Sequence, residues 1–124
     1  MNLQFIKNFE GFSPLAYYDV NGYAIGYGSH NHVDGRAVLK GEKVTQTEAD
    51  AMLQNYVDDL VPKIQSVVKH VLNGNQLLAL VDFCYNLGFG AFEGSTLLKR
   101  INENASPAEI SKQFSRWVYS DNKV

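Results

Sequence analysis

The chain has 124 residues, enough for one domain with a hydrophobic core. Its formal net charge of −2 provides no basic field for nucleic acid, and its single cysteine, Cys84, excludes an internal disulfide bond. The polar first residues lack a signal-peptide core, and no segment approaches the roughly 18 apolar residues of a membrane span. We therefore expect a globular protein without stable membrane insertion.

The first element is a short amphipathic helix. Phe5, Ile6 and Phe9 recur at helical spacing, which predicts a helix over about residues 2–11. Gly11 ends it, so Glu10 lies in the last turn, where the helix dipole disfavours an anion. This position favours the neutral carboxylic acid.

A β-hairpin follows, with Asn21-Gly22 as the predicted tight turn. Large and small residues then alternate along the second strand, with Tyr23, Ile25 and Tyr27 against Ala24, Gly26 and Gly28. The small face indicates either close approach of a ligand or a sheet lying tightly on its own helix. A second turn at Asp34-Gly35 and a third short strand over residues 37–39 complete a predicted antiparallel sheet of two or three strands.

Helical patterns fill the rest of the chain. Thr45-Gln46-Thr47-Glu48 is a capping box, and Pro62 breaks or kinks the helix behind it, or starts a new one. Residues 77–87, ending at Gly88, predict the buried central helix, with Cys84 as a buried thiol. Further helical segments cover residues 92–101 and follow a second capping box at residues 106–109. A small sheet followed by helices is typical of an α+β fold.

Two acids flank the hairpin, Glu10 before it and Asp19 at its turn. Glycoside hydrolysis needs such a pair: a neutral acid protonates the leaving oxygen, and a carboxylate attacks or activates water. A solvated glutamate and a turn-initiating aspartate would give the same spacing, so spacing alone leaves both interpretations open. The two histidines of His30-Asn31-His32 have no third ligand nearby, so we interpret them as solvated and expect no metal.

Several separated blocks occur in order along nearly the whole chain: Glu10-Gly11-Phe12, Ala16-Tyr17-Tyr18-Asp19, Ile25-Gly26-Tyr27-Gly28, residues 75–88, residues 94–98 and Arg116-Trp117. Together they resemble the phage-type lysozymes (endolysins, muramidases). The resemblance implies a lysozyme-like α+β fold with a cleft between a small sheet lobe and a larger helical lobe. We expect one domain over residues 1–124, with the sheet lobe at about 12–60 and the helical lobe at about 61–124 plus helix 2–11.

The resemblance also implies a function, namely hydrolysis of the β-1,4 bond between N-acetylmuramic acid and N-acetylglucosamine in peptidoglycan, for bacterial lysis. Glu10 matches the general acid and Asp19 the carboxylate that positions or activates water, while Gly28, Asn86 and Ser95 match substrate-binding positions. The implied partner is the glycan strand, with no cofactor. Synthesis in the host cytoplasm and release through a membrane pore are implied as well.

The sequence departs from the family at Ala24, where relatives usually carry a threonine whose hydroxyl helps to hold the water. Alanine has no hydrogen-bonding side chain. Either another group holds the water, or the activity is attenuated, naturally or by engineering, and the sequence leaves these alternatives open. Ser29 stands where many relatives carry histidine, and whether His30 takes its place is open. Relatives also continue past Arg116-Trp117 into a basic C-terminal helix. Without it we expect a less stable chain, or self-association of an otherwise monomeric protein.

Two alternatives therefore stay open beside hydrolysis. One is a lytic transglycosylase that uses Glu10 and forms 1,6-anhydro ends. The other is a catalytically impaired, glycan-binding protein with the same fold, because a fold does not guarantee activity.

Overall fold

The computed structural model describes residues 2–103 and 108. The chain divides into two compact units, Met1–Asp59 and Leu60–Val124. The single-domain organisation stays a prediction, and both Arg116-Trp117 and the second capping box, apart from Ala108, lie outside the described residues. The elements in chain order are helix α1 (Gln4–Glu10), strands β1 (Ser13–Asp19) and β2 (Gly22–Gly26), and helices α2 (Gln46–Val67), α3 (Gly74–Leu87), α4 (Phe89–Glu93) and α5 (Thr96–Glu103).

Helix α1 lies where the sequence predicts it. Gly11 ends the helix with a positive φ of 73°, which glycine adopts without strain, and its N–H donates to the Lys7 carbonyl at 2.9 Å. Ile6 is fully buried, whereas Phe5 and Phe9 are each 59% exposed. The Lys7 ammonium lies 2.9 Å from the Asp50 carboxylate and so connects α1 to the first turns of α2.

The hairpin forms, but its turn lies one residue earlier than predicted. Asp19 pairs with Gly22, so Val20 and Asn21 form the loop and Gly22 begins β2. The Asn21 N–H donates to the Asp19 carboxylate at 2.8 Å, and this side-chain contact closes the turn before Gly22.

The predicted turn at Asp34-Gly35 is confirmed, since the Gly35 N–H donates to the His32 carbonyl at 2.9 Å. The predicted third strand at residues 37–39 is wrong: Ala37 makes an isolated bridge to Asn31, and the described sheet contains two strands. The Leu39 N–H donates to the Glu42 carboxylate at 2.6 Å. A side chain therefore takes the backbone donor that a third strand would have used.

The small face of β2 lies on a helix at Gly26. A Cβ atom there would stand 2.8 Å from the Ala49 Cβ atom of α2, and Gly26 has a positive φ of 65°. Of the two interpretations of the small residues, close packing on the protein's own helix is the correct one at this position.

The capping box of α2 is confirmed. The Glu48 N–H donates to the Thr45 hydroxyl at 3.1 Å, and the Thr45 N–H donates to the Glu48 carboxylate at 2.9 Å. Helix α2 continues through Pro62 to Val67, so a break or a new helix at this proline is wrong, and a kink stays a prediction. The buried side chains of α2 within the first unit are Ala49, Met52, Leu53 and Val57.

Helix α3 begins after Asn73, whose side chain forms a capping box with Gln76, and ends at Gly88 as predicted. Its middle, residues 80–84, is buried, but Leu87 at its end is 52% exposed. Cys84 is fully buried, as predicted, and burial raises the pKa of its thiol to about 12.

The single helical segment predicted for residues 92–101 is instead two helices. Helix α4 ends at Glu93, and Ser95 caps α5 by accepting the Leu98 N–H at 3.0 Å. None of the helices in the described part is long and apolar enough to cross a membrane.

Candidate active site

Glu10 and Asp19 each end a secondary-structure element of the first unit. Glu10 is the last residue of α1 and Asp19 the last residue of β1. Both side chains are partly buried, and that of Asp19 is 34% exposed. The chain between them turns at Gly11 and then extends as β1, so both acids belong to one short segment.

Tyr17 lies on the same face of β1 as Asp19, because side chains two residues apart in a strand point the same way. The register places Ala24 opposite Tyr17 and Gly22 opposite Asp19. The small residues of β2 therefore lie beside one acid and one phenol. Ala24 itself has no exposed surface, whereas Tyr17 is 42% exposed.

The pKa of the Tyr17 hydroxyl is influenced by both acids. Burial raises the pKa of this hydroxyl, and the negative charges of Asp19 and Glu10 raise it further. The raised pKa keeps the Tyr17 phenol protonated. Tyr17 was not among the candidate site residues, although its two-residue spacing from Asp19 was the available signal.

Asp19 is held in its ionised form. Burial raises its pKa, but the hydrogen bond from the Asn21 N–H, the hydrogen bond from His30 and the His30 charge together lower the pKa below its ordinary value. A carboxylate that stays ionised suits the activation of water and not the donation of a proton.

The two loop histidines each contact an acid and are not simply solvated as we interpreted them from the sequence, although the His30 side chain is still 39% exposed. His30 Nε2 lies 2.9 Å and 3.2 Å from the two oxygens of Asp19, and His32 Nε2 lies 3.0 Å from the Glu42 carboxylate. The two histidines therefore bind different acids. Within residues 2–103 and 108, no cluster of three or more such side chains could hold a metal ion.

Gly28 belongs to a turn and not to the strand face. Ile25 and Ser29 exchange two backbone hydrogen bonds of 2.9 Å, which close the turn over residues 26–28. Gly28 has a positive φ of 89° there, which explains the glycine. Its contact with substrate stays a prediction.

The two remaining predicted substrate residues lie in the second unit. The Asn86 side-chain amide donates to the Asp82 carbonyl at 2.9 Å and to its carboxylate at 3.2 Å. The Ser95 hydroxyl donates to the Phe92 carbonyl at 2.6 Å while it caps α5. Both side chains therefore have local structural partners, and their roles toward substrate stay predictions.

Comparison with known proteins relates the chain to one family. The phage lysozyme family model matches residues 7–124. The endolysin of Bacillus phage PZA is 37% identical over 125 residues, which cover 98% of this chain and 46% of that protein. The chain thus spans about half the length of this relative.

Two solved structures are similar as well. The muramidase domain of SpmX from Asticaccaulis excentricus has a TM-score of 0.78 and 33% identity, covering 94% of this chain and 76% of that chain. The endolysin from Escherichia coli O157:H7 phage FAHEc1 has a TM-score of 0.78 and 34% identity, covering 93% and 72%. The fold is therefore lysozyme-like α+β, and the chain belongs to the phage lysozyme family.

Proposed function

We propose that this chain is a peptidoglycan hydrolase that cleaves the β-1,4 bond between N-acetylmuramic acid and N-acetylglucosamine. The observation that carries the proposal is the placement of two acids in one short segment, with Glu10 at the end of α1 and Asp19 at the end of β1. The Asp19 carboxylate is hydrogen-bonded there by the Asn21 N–H and by His30. Membership of the phage lysozyme family supports the same reaction.

The two acids take different roles in the proposed reaction. Glu10, at the C-terminal end of α1, protonates the leaving glycosidic oxygen as the neutral acid. Asp19, which its hydrogen bonds keep ionised, positions or activates the attacking water. Two carboxyl groups with different environments are the arrangement that this chemistry requires.

Digestion of purified peptidoglycan tests the proposal. The parent chain should release fragments with reducing ends, and Glu10→Gln should lower the rate about 100- to 10,000-fold, the usual contribution of general acid catalysis. Glu103→Gln is the matched control, because the same chemical change is made at an exposed position with weak surface ion pairs of 4.0 Å. A Glu10→Gln variant that digests as fast as the parent would exclude Glu10 as the acid.

Mass spectrometry of the products separates hydrolysis from its alternatives. Reducing ends indicate hydrolysis. Ends with 1,6-anhydro groups indicate a lytic transglycosylase, the alternative kept because position 24 carries alanine in place of threonine. A parent chain that binds peptidoglycan in a pull-down without cleaving it would be the glycan-binding protein instead.

The proposed activity also has a cellular setting, namely host lysis. Synthesis would occur in the host cytoplasm, and the chain would act as a monomer on the cell wall after release through a membrane pore. Expression with and without chemical permeabilisation of the inner membrane tests this release. Lysis that needs permeabilisation supports the proposal, and lysis without it shows that the chain needs no separate pore.

A further inference from the structure

The His30 side chain contacts both oxygens of the Asp19 carboxylate. Its Nε2 atom lies 2.9 Å from Oδ2 and 3.2 Å from Oδ1, so one ring nitrogen spans both oxygens. An ionised carboxylate only accepts hydrogen bonds, so Nε2 carries the proton and donates it to this contact. Together with the Asn21 N–H, it gives the Asp19 carboxylate two hydrogen-bond donors.

The backbone around His30 is fixed independently of this contact. Ser29 before it is paired with Ile25, and Asn31 after it is bridged to Ala37. The His30 carbonyl itself accepts the Val38 N–H at 3.0 Å. The imidazole is therefore presented to Asp19 from a backbone that is hydrogen-bonded on both sides, as a positioning group requires.

We propose that His30 is a positioning residue of the active site, which holds the Asp19 carboxylate in the orientation that activates water. The inference rests on the proposed hydrolase function. It assigns a role to a histidine that the sequence left undecided, in a chain whose position 24 supplies no hydroxyl.

Charged and titratable groups near Asp19 define what removal of His30 should do. They are His30 from the loop, Tyr17 from β1 and Glu10 from α1. The charge of Glu10, like that of Asp19, contributes to the raised pKa of Tyr17. Without His30, Asp19 keeps the hydrogen bond from the Asn21 N–H but loses the hydrogen bond and the charge interaction that His30 supplies. Its pKa should then rise, because both lost interactions favour the ionised form.

Steady-state kinetics on soluble peptidoglycan fragments across a pH series tests the role. His30→Ala should lower kcat about 10- to 100-fold with little change in KM, because a misplaced catalytic group slows chemistry more than binding. The acid limb of kcat/KM should move to higher pH. His30→Gln should recover much of the rate, since its amide N–H can donate to the same carboxylate.

His32→Ala is the matched control, since it removes the other loop histidine, which binds Glu42 and not Asp19. This variant should leave the acid limb in place. A folded His30→Ala protein with parental kcat and an unmoved acid limb overturns the proposal, as does an equal shift in His32→Ala.

A measurement that does not depend on enzymatic activity separates this inference from the proposed function. The carboxyl carbon of Asp19, assigned by its absence in Asp19→Asn, can be titrated by NMR in the parent and in His30→Gln and His30→Ala. An inactive parent whose Asp19 titration depends on His30 contradicts the hydrolase function and leaves the contact standing. An active parent whose Asp19 titrates identically without His30 contradicts the inference alone.

Discussion

Tyr17 and Ala24 are direct partners across the hairpin: Ala24 is fully buried, whereas Tyr17 is 42% exposed. Alanine at this position leaves the neighbourhood of Asp19 without the hydroxyl that related enzymes are expected to carry. Ala24 is also inaccessible, so any larger side chain must find room between packed neighbours. Rate and stability should therefore respond differently to substitution there.

Ala24→Thr should digest peptidoglycan at least about 10-fold faster than Ala24→Val, because the two side chains have similar volume and only threonine adds a hydroxyl. Both variants should lose about 1–3 kcal/mol of stability by overpacking. Digestion rates and chemical denaturation of both proteins provide the comparison. Equal rates for the two variants would mean that a hydroxyl at position 24 does not contribute.

Tyr17→Phe should lower kcat about 10-fold, equivalent to roughly 1.4 kcal/mol, by removing the hydroxyl that both acids influence. The raised pKa of Tyr17 keeps its proton in place, so the phenol can donate a hydrogen bond at working pH. Tyr18→Phe is the control, since Tyr18 is 70% exposed and its ring packs on Tyr23. Equal losses in the two variants would argue against a specific role for Tyr17.

Glu42 organises the loop between β2 and α2. Its carboxylate accepts from the Leu39 N–H, His32 and Arg36, and the first two contacts are the main causes that lower its pKa below the ordinary 4.5. A lowered folded-state pKa stabilises the protein above pH 4.5, and this stabilisation is lost as pH falls through the folded-state value.

We therefore expect Glu42→Gln to lower Tm at pH 7 and to flatten the loss of Tm on acidification. Asp19 and Glu48 also have lowered pKa values, so some acid dependence should remain. Thermal denaturation from pH 3 to pH 7 measures both effects. Asp58→Asn is the control, since Asp58 is exposed on α2 and its carboxylate accepts only a surface hydrogen bond from the Gln54 amide among the contacts described. Its profile should stay close to that of the parent.

Gly26→Ala should destabilise the first unit more than Gly35→Ala. Both glycines have positive φ, 65° and 89°, so alanine is strained at either position. At Gly26 the new Cβ would also lie 2.8 Å from the Ala49 Cβ, whereas at Gly35 it would meet no atom within 4 Å. The additional loss should be about 1–3 kcal/mol in urea denaturation, and equal losses would exclude the helix contact as a cause.

Cys84 should resist alkylation by iodoacetamide in the folded protein. Its thiol is fully buried, and its pKa of about 12 leaves almost no reactive thiolate at neutral pH. Mass spectrometry should show labelling in denaturant only. Rapid labelling under native conditions would mean that α3 opens locally.

The sequence by itself determined the elements that depend on neighbouring residues. Glycine after α1, the Thr45-Glu48 capping box and the Gly88 stop each act within one turn, so their positions could be predicted. The order of several separated motifs likewise indicated the family, and the resemblance pointed to Glu10 and Asp19. Local signals failed where a side chain competed for the backbone, as Asp19 did at the hairpin turn and Glu42 at Leu39.

Only the tertiary structure decided which side chains surround Asp19. His30 follows it by eleven residues, and their contact depends on the turn at residues 26–28 and on the bridges that fix the loop. The same holds for Gly26, whose small size reflects Ala49 on a later helix. Contacts between distant residues depend on how the loops close and pack, and no local pattern in the sequence encodes that geometry.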